Sequence, residues 1–102
     1  MVEQWLELGW HRLQEGTYAS AAHYYEQALS ARDDHPEAYY RGAALAWAHL
    51  GEADRALAML SAAADRGCHH AEWARRQPAF SLLHGGPEWE RVLARMAQAA
   101  ER

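Results

Sequence analysis

Seven histidines and one cysteine are the residues of this 102-residue chain best suited to chemistry, as metal ligands or as a nucleophile and its base. A helical zinc site places two His four residues apart on one face, so that both rings reach one ion. His11, His23, His35 and His49 fall in four separate segments and form no such pair. Cys68-His69-His70 is the densest cluster, yet adjacent side chains diverge, and no further Cys or His pair lies close in sequence. A nucleophilic Cys68 would need a base oriented by a third group, and His69 and His70 sit too near it in the chain for that. Ser20, Ser30, Ser61 and Ser81 lie in neither a nucleophile elbow nor a phosphate loop. His23 and Glu26, one helical turn apart, have the spacing of a surface polar pair. No catalytic residue, metal ligand or cofactor is assigned, and a small metal-binding protein or enzyme using Cys68 and the histidines is the third of three functional readings.

Composition narrows the classes further. A mass of 11.5 kDa suits one domain, spanning 1–102, with roughly 5,800 Å² of folded surface and about 65% of the extended chain's surface buried. Half the residues are hydrophobic, which excludes disorder by low hydrophobicity. A net charge of −4 argues against a nucleic-acid partner. A lone cysteine permits no internal disulfide and suits the cytoplasm. No run approaches the ~18 apolar residues of a membrane span, and Met1-Val2-Glu3-Gln4 lacks the positive region of a secretory signal. All ten basic residues are Arg, while Lys, Ile and Asn are absent and Ala occurs 23 times. This is the signature of a GC-rich, bacterial gene, and alanine is also the best helix former.

The elements that must carry any function are helical. Segment 2–15 spaces Trp5, Leu8, Gly9 and Leu13 three and four apart. Gly16 interrupts it, and Thr17 is a candidate N-cap. Segment 18–31 continues the period with Tyr18, Ala21, Ala22, Tyr25, Ala28 and Leu29. The polar connector 32–35 leads to Pro36, placed to open the first turn of a helix with Glu37 at its positive end. Segment 36–50 carries Tyr40, Ala43, Ala44 and Trp47; Gly51 ends it. Segment 53–66 carries Ala56, Leu57, Leu60, Ala63 and Ala64, and Gly67 is its stop. No run alternates with period two, so the fold is all-α. A short helix is expected within 69–76, cut off by Pro78, then a turn or short helical stretch at 79–83. A last helix over 87–99 places Trp89, Val92, Leu93 and Met96 on one stripe, as a cap over an open apolar end.

Gly16 and Gly51 align at a period of 35 residues, matching Trp5 with Tyr40, Ala21 with Ala56, Tyr25 with Leu60 and Ala28 with Ala63. Trp5-x-x-Leu8-Gly9, followed by Gly16-x-Tyr18-x-x-Ala21-x-x-x-Tyr25-x-x-Ala28, resembles the tetratricopeptide repeat. The resemblance implies stacked antiparallel helical hairpins in a right-handed superhelix, with a first repeat over about 1–35, a degenerate second over 36–67 and an atypical third unit with the capping helix over 68–102. Arg12 departs from the family's aromatic, and the second unit has Ala43-Ala44 in place of Leu-Gly.

The resemblance also implies a role in binding. In the family the first helix of each pair lines a concave groove. Leu6, Trp10 and Leu13, with Val2 beside them, occupy that side in the first unit, and Ala38, Arg41, Leu45, Ala48 and His49 in the second. Leu6, Trp10, Leu13, Ala38, Arg41, Leu45 and His49 are therefore the candidate groove residues, with Arg41 and His49 as polar anchors and the aromatics Tyr24, Tyr39 and Tyr40 nearer the core. The leading reading is a protein–protein interaction module that grips a peptide or partner segment without catalysis. The second is a homodimer joined through the Trp10 surface. Burial of the same stripe under the C-terminal helix would remove it from binding altogether. The Lys and Asn with which some relatives clamp a peptide carboxylate are missing, since Leu6, Trp10 and Gly42 stand at those positions.

Overall fold

A computed structural model describes the backbone of residues 2–31 and 35–101, and the side chains of those residues from Gln4 onward. The connector's 32–34, Met1 and the side chain of Val2 lie outside the described residues. Six α-helices follow in order: α1 Val2–Glu15, α2 Tyr18–Ala31, α3 Glu37–His49, α4 Ala53–Asp65, α5 Ala71–Arg76 and α6 Pro87–Ala100. A 3-10 turn, Pro78–Leu83, separates the last two, and no strand occurs among the described residues. The total surface of 5904 Å² is close to that of a compact chain of this mass.

Gly16 and Gly51 fall at the two hairpin bends, and the bends are the same structure repeated. Gly16 has φ +83° and Gly51 φ +78°, a left-handed conformation that only glycine adopts without strain. At the first bend Gly16 N–H donates to the Leu13 carbonyl (3.2 Å) and Thr17 N–H to Arg12 (2.9 Å). At the second, Gly51 N–H donates to Ala48 (3.0 Å) and Glu52 N–H to Trp47 (2.9 Å). This pair of bonds is the Schellman stop, which satisfies carbonyls left over at a helix end. Gly67 closes α4 in the same way, with Cys68 N–H donating to the Ala63 carbonyl at 3.0 Å.

One capping expectation holds in position and the other is shifted by a residue. Thr17 stands at the N-cap of α2, its carbonyl accepting from Ala21 N–H, but its hydroxyl donates backward to the Arg12 carbonyl at 3.0 Å. The hydroxyl reinforces the end of α1 rather than the start of α2. Pro36 sits one residue earlier than expected, as the extended N-cap of α3 (φ −56°, ψ 151°), which its fixed φ and missing N–H allow. His35 is buried, and its Nε2 lies 3.2 Å from the Ala28 carbonyl in the last turn of α2.

Helices α1 and α2 pair, α3 and α4 pair, and α3 also packs against α2 and α1. Alanines make this close approach possible: Ala21, Ala22, Ala28, Ala43, Ala44, Ala46, Ala56 and Ala63 are all buried. Leu6 packs with Tyr25, Ala28 and Ala43; Leu13 packs with Ala21, Ala22 and Ala46. The larger cluster joins α3 and α4 to Phe80 and Leu83 and to α6. On α6 the expected stripe of Trp89, Val92, Leu93 and Met96 is buried, and the helix lies over α4 and α5. Arg95 fastens it there, donating to the Ser61 hydroxyl at 3.0 Å and pairing with Asp65.

Candidate interaction surfaces

The seven candidate groove residues part company in the structure. Leu6 and Leu13 are core, 4% and 9% exposed. They close the seam of α1 with α2 and α3, and offer nothing to a partner. The groove expectation is corrected at these two positions: small alanines on α2 and α3 let α1 settle deep enough to cover them. The cover comes from these neighbours and not from α6. Leu45 is half-buried and packs against the core. Ala38 is exposed. Trp10, between Leu6 and Leu13 on α1, is 52% exposed.

The two expected polar anchors are engaged within the chain. His49 lies flat on Tyr18, ring centroids 3.9 Å apart and planes 3° from parallel. Arg41 grips Glu37 through two bonds, Nε to Oε2 at 2.7 Å and Nη2 to Oε1 at 3.3 Å. Its guanidinium also lies 5.0 Å from the Trp73 ring centre. A half-buried fork-to-fork pair of this kind fixes both partners, so Arg41 ties α3 to α5. Its intended role in the groove is taken up by this tie.

The Cys68 cluster is structural in its geometry. Cys68 is fully buried at the position where the Schellman stop of α4 places an apolar residue. Burial pushes its thiol up from the ordinary range, and the nearby Glu37 carboxylate adds to this against the opposing pull of the His70 backbone and Arg41. A thiol held in its neutral form is a poor nucleophile. His70 Nε2 lies 3.9 Å from Glu37 Oε1, and the His69 and His70 rings are 4.2 Å apart. Among the described residues no three His, Cys, Asp or Glu side chains converge as a metal-ion set.

A second surface went unnoticed in the sequence. A cleft of about 460 Å³ opens between α2 and α4, with Tyr40, Ala43 and Trp47 of α3 beneath it. None of the seven groove candidates lines it. Two arginines stand on its aromatic floor: Arg55 is 4.6 Å from the Trp47 ring centre and Arg66 is 4.1 Å from that of Tyr40. Arg55 also reaches Glu26 of α2 at 3.4 Å. Helical spacing alone hid these pairs, because each joins residues on different helices.

A family model of the tetratricopeptide repeat matches residues 12–75. With the paired helices and their glycine bends, this places the chain in the tetratricopeptide repeat family. Such repeats generally mediate protein–protein interaction. No curated protein and no solved structure matches the chain. No helix among the described residues is long and apolar enough to cross a membrane.

Proposed function

We propose that this chain is an interaction module, without catalysis of its own, that captures a peptide or partner-protein segment on the surface centred on Trp10. The supporting observation is Trp10 itself: a large aromatic half in water, held on a helix whose neighbouring Leu6 and Leu13 are locked in the core. A rigid base with one projecting indole is the arrangement from which binding hot spots are made. Ala38, exposed, and Leu45, half-buried, on α3 are assigned to the same proposed surface. A cytoplasmic, bacterial setting fits the lone buried thiol and the arginine- and alanine-rich composition.

The experiment compares the wild type with Trp10→Glu and Ala38→Glu for capture of partner protein from extract, each checked for unchanged helicity. Loss of capture with helicity intact is the expected result. Retained capture by Trp10→Glu removes the reading. The same exposed indole supports self-association as the second reading. Sedimentation across a concentration series separates the two: a dimer that Trp10→Glu abolishes makes the surface a self-contact.

A further inference from the structure

We propose that the cleft between α2 and α4 receives Trp10 of a second copy of this chain, with Glu7 of that copy set against Arg55, so that copies join head to tail. The inference rests on the self-association reading of Trp10 and names the surface that receives the indole. Shape leads to it first. Tyr40, Ala43 and Trp47 follow one another at three and four positions on the face of α3 beneath the cleft. The small Ala43 between two large rings leaves a hollow, walled by Leu29 of α2 and Met59 of α4. Its volume, about 460 Å³, is on the scale of pockets that hold an organic ring system. Such walls suit an indole, which packs offset or edge-on against other rings, and the Met59 thioether adapts to an aromatic edge. Among the described residues Trp10 is the most exposed large hydrophobic side chain. It does not line the cleft of its own chain, so an indole seated there comes from another copy.

Charge leads the same way. Glu7 stands three positions before Trp10 on the same face of α1. It is exposed, and among the described residues it pairs with no cation. An indole with a carboxylate beside it therefore meets a hollow with Arg55 at its rim, held over Trp47. Glu26 is the local competitor. Its contact with Arg55 is long, 3.4 Å, and both side chains are more than half exposed, at 58% and 53%. Water screens such a pair, so it contributes little. A guanidinium has five N–H donors, and the one contact to Glu26 leaves others for Glu7. Arg66 is engaged within its own chain, over Tyr40 and with the Ala62 carbonyl, and has no part in the contact. Knob and hollow differ, so the contact is heterologous. Each pair of copies keeps an open cleft at one end and an unseated Trp10 at the other, and association continues past two unless a ring closes.

The test is sedimentation velocity of the full chain over a series from micromolar to millimolar concentration. The wild type should grow beyond the monomer. Trp10→Glu removes the knob, and Ala58→Glu places a charge of the same sign as Glu7 on the exposed wall of the cleft. Each variant alone should stay a monomer with helicity unchanged. Mixed in equal amounts they should form a dimer and nothing larger, because the cleft of the first still accepts the indole of the second. Misfolding cannot imitate that rescue. Glu7→Arg and Arg55→Glu should each weaken association about tenfold, and the chain carrying both should recover it. A wild type that remains monomeric throughout would overturn the proposal. So would an Ala58→Glu variant that associates like the wild type, the outcome of a symmetric Trp10-to-Trp10 contact. A mixture that stays monomeric, or a doubly reversed chain no better than the single variants, would do the same. These samples contain only this chain, so failure here leaves capture of a partner from extract untouched, and failure of capture leaves this contact untouched.

Discussion

Tyr25 of α2 occupies the space that a β-carbon on Gly42 of α3 would need. Such an atom would lie 2.6 Å from the tyrosine hydroxyl oxygen and 2.9 Å from Cζ. On the other flank the same ring faces Gly9 of α1, where a β-carbon would meet it at 3.2 Å. One buried aromatic is thus keyed between two glycines, and three helices are registered on it.

Gly42→Ala should therefore destabilise the fold. Overpacking of about 1–3 kcal/mol outweighs the helix-propensity gain of about 1 kcal/mol, because contacts of 2.6 and 2.9 Å demand a larger displacement of the buried ring than small adjustments supply. Gly9→Ala meets the ring face at a distance that a shift of a few tenths of an ångström relieves, so its effect should be small. Thermal unfolding followed by circular dichroism checks this order. A Gly42→Ala variant as stable as Gly9→Ala would show that the ring is free to retreat.

The same burial gives a pH dependence. Desolvation, with a smaller contribution from Tyr39, pushes the Tyr25 hydroxyl from 10.0 up to about 12. Below the unfolded value both states hold the proton and the contribution is complete. Above it the unfolded chain releases its proton first, so stability falls from about pH 10 to about pH 12. The total is roughly 2–3 kcal/mol. The Cys68 thiol, also raised, acts in the same direction. Urea unfolding at about pH 8 and pH 11 should show the loss, and Tyr25→Phe should reduce it. An equal loss in Tyr25→Phe would place the titration elsewhere.

Cys68 should react with a thiol reagent only as fast as the fold opens, because it is fully buried. Rapid labelling in native buffer, at the rate seen in denaturant, would contradict its placement. Cys68→Ser should cost about 1–3 kcal/mol for a hydroxyl in an apolar site, and Cys68→Ala less.

The repeat was legible because its glycines and alanines carry backbone information: Gly16, Gly51 and Gly67 each mark a Schellman bend, and the small residues mark close helix approach. The apolar stripe of α6 was legible for a similar reason, since period alone orients a single amphipathic helix. Groove residues were harder. Leu6 and Trp10 share one face of α1, and periodicity cannot say that α2 and α3 cover the first and leave the second in water. His49 and Arg41 looked like free anchors because their partners, Tyr18 and Trp73, lie on other helices. Gly42, seen only as a missing clamp residue, owes its place to Tyr25, seventeen positions earlier.

Removal of α6 should be far more damaging than loss of its polar fastening. Trp89, Val92, Leu93 and Met96 are each 5% exposed or less, and burying four such side chains contributes roughly 6–12 kcal/mol. That is comparable to the whole stability of a domain of this size, about 5–15 kcal/mol, so truncation after Gly86 should abolish cooperative unfolding. Arg95→Ala breaks only exposed contacts to Ser61 and Asp65, worth under about 1 kcal/mol, and should lower the melting temperature by a few degrees at most. If the truncated chain instead melts like the full one, α4 and α5 bury their apolar faces without the last helix, and α6 is not the cap of the stack.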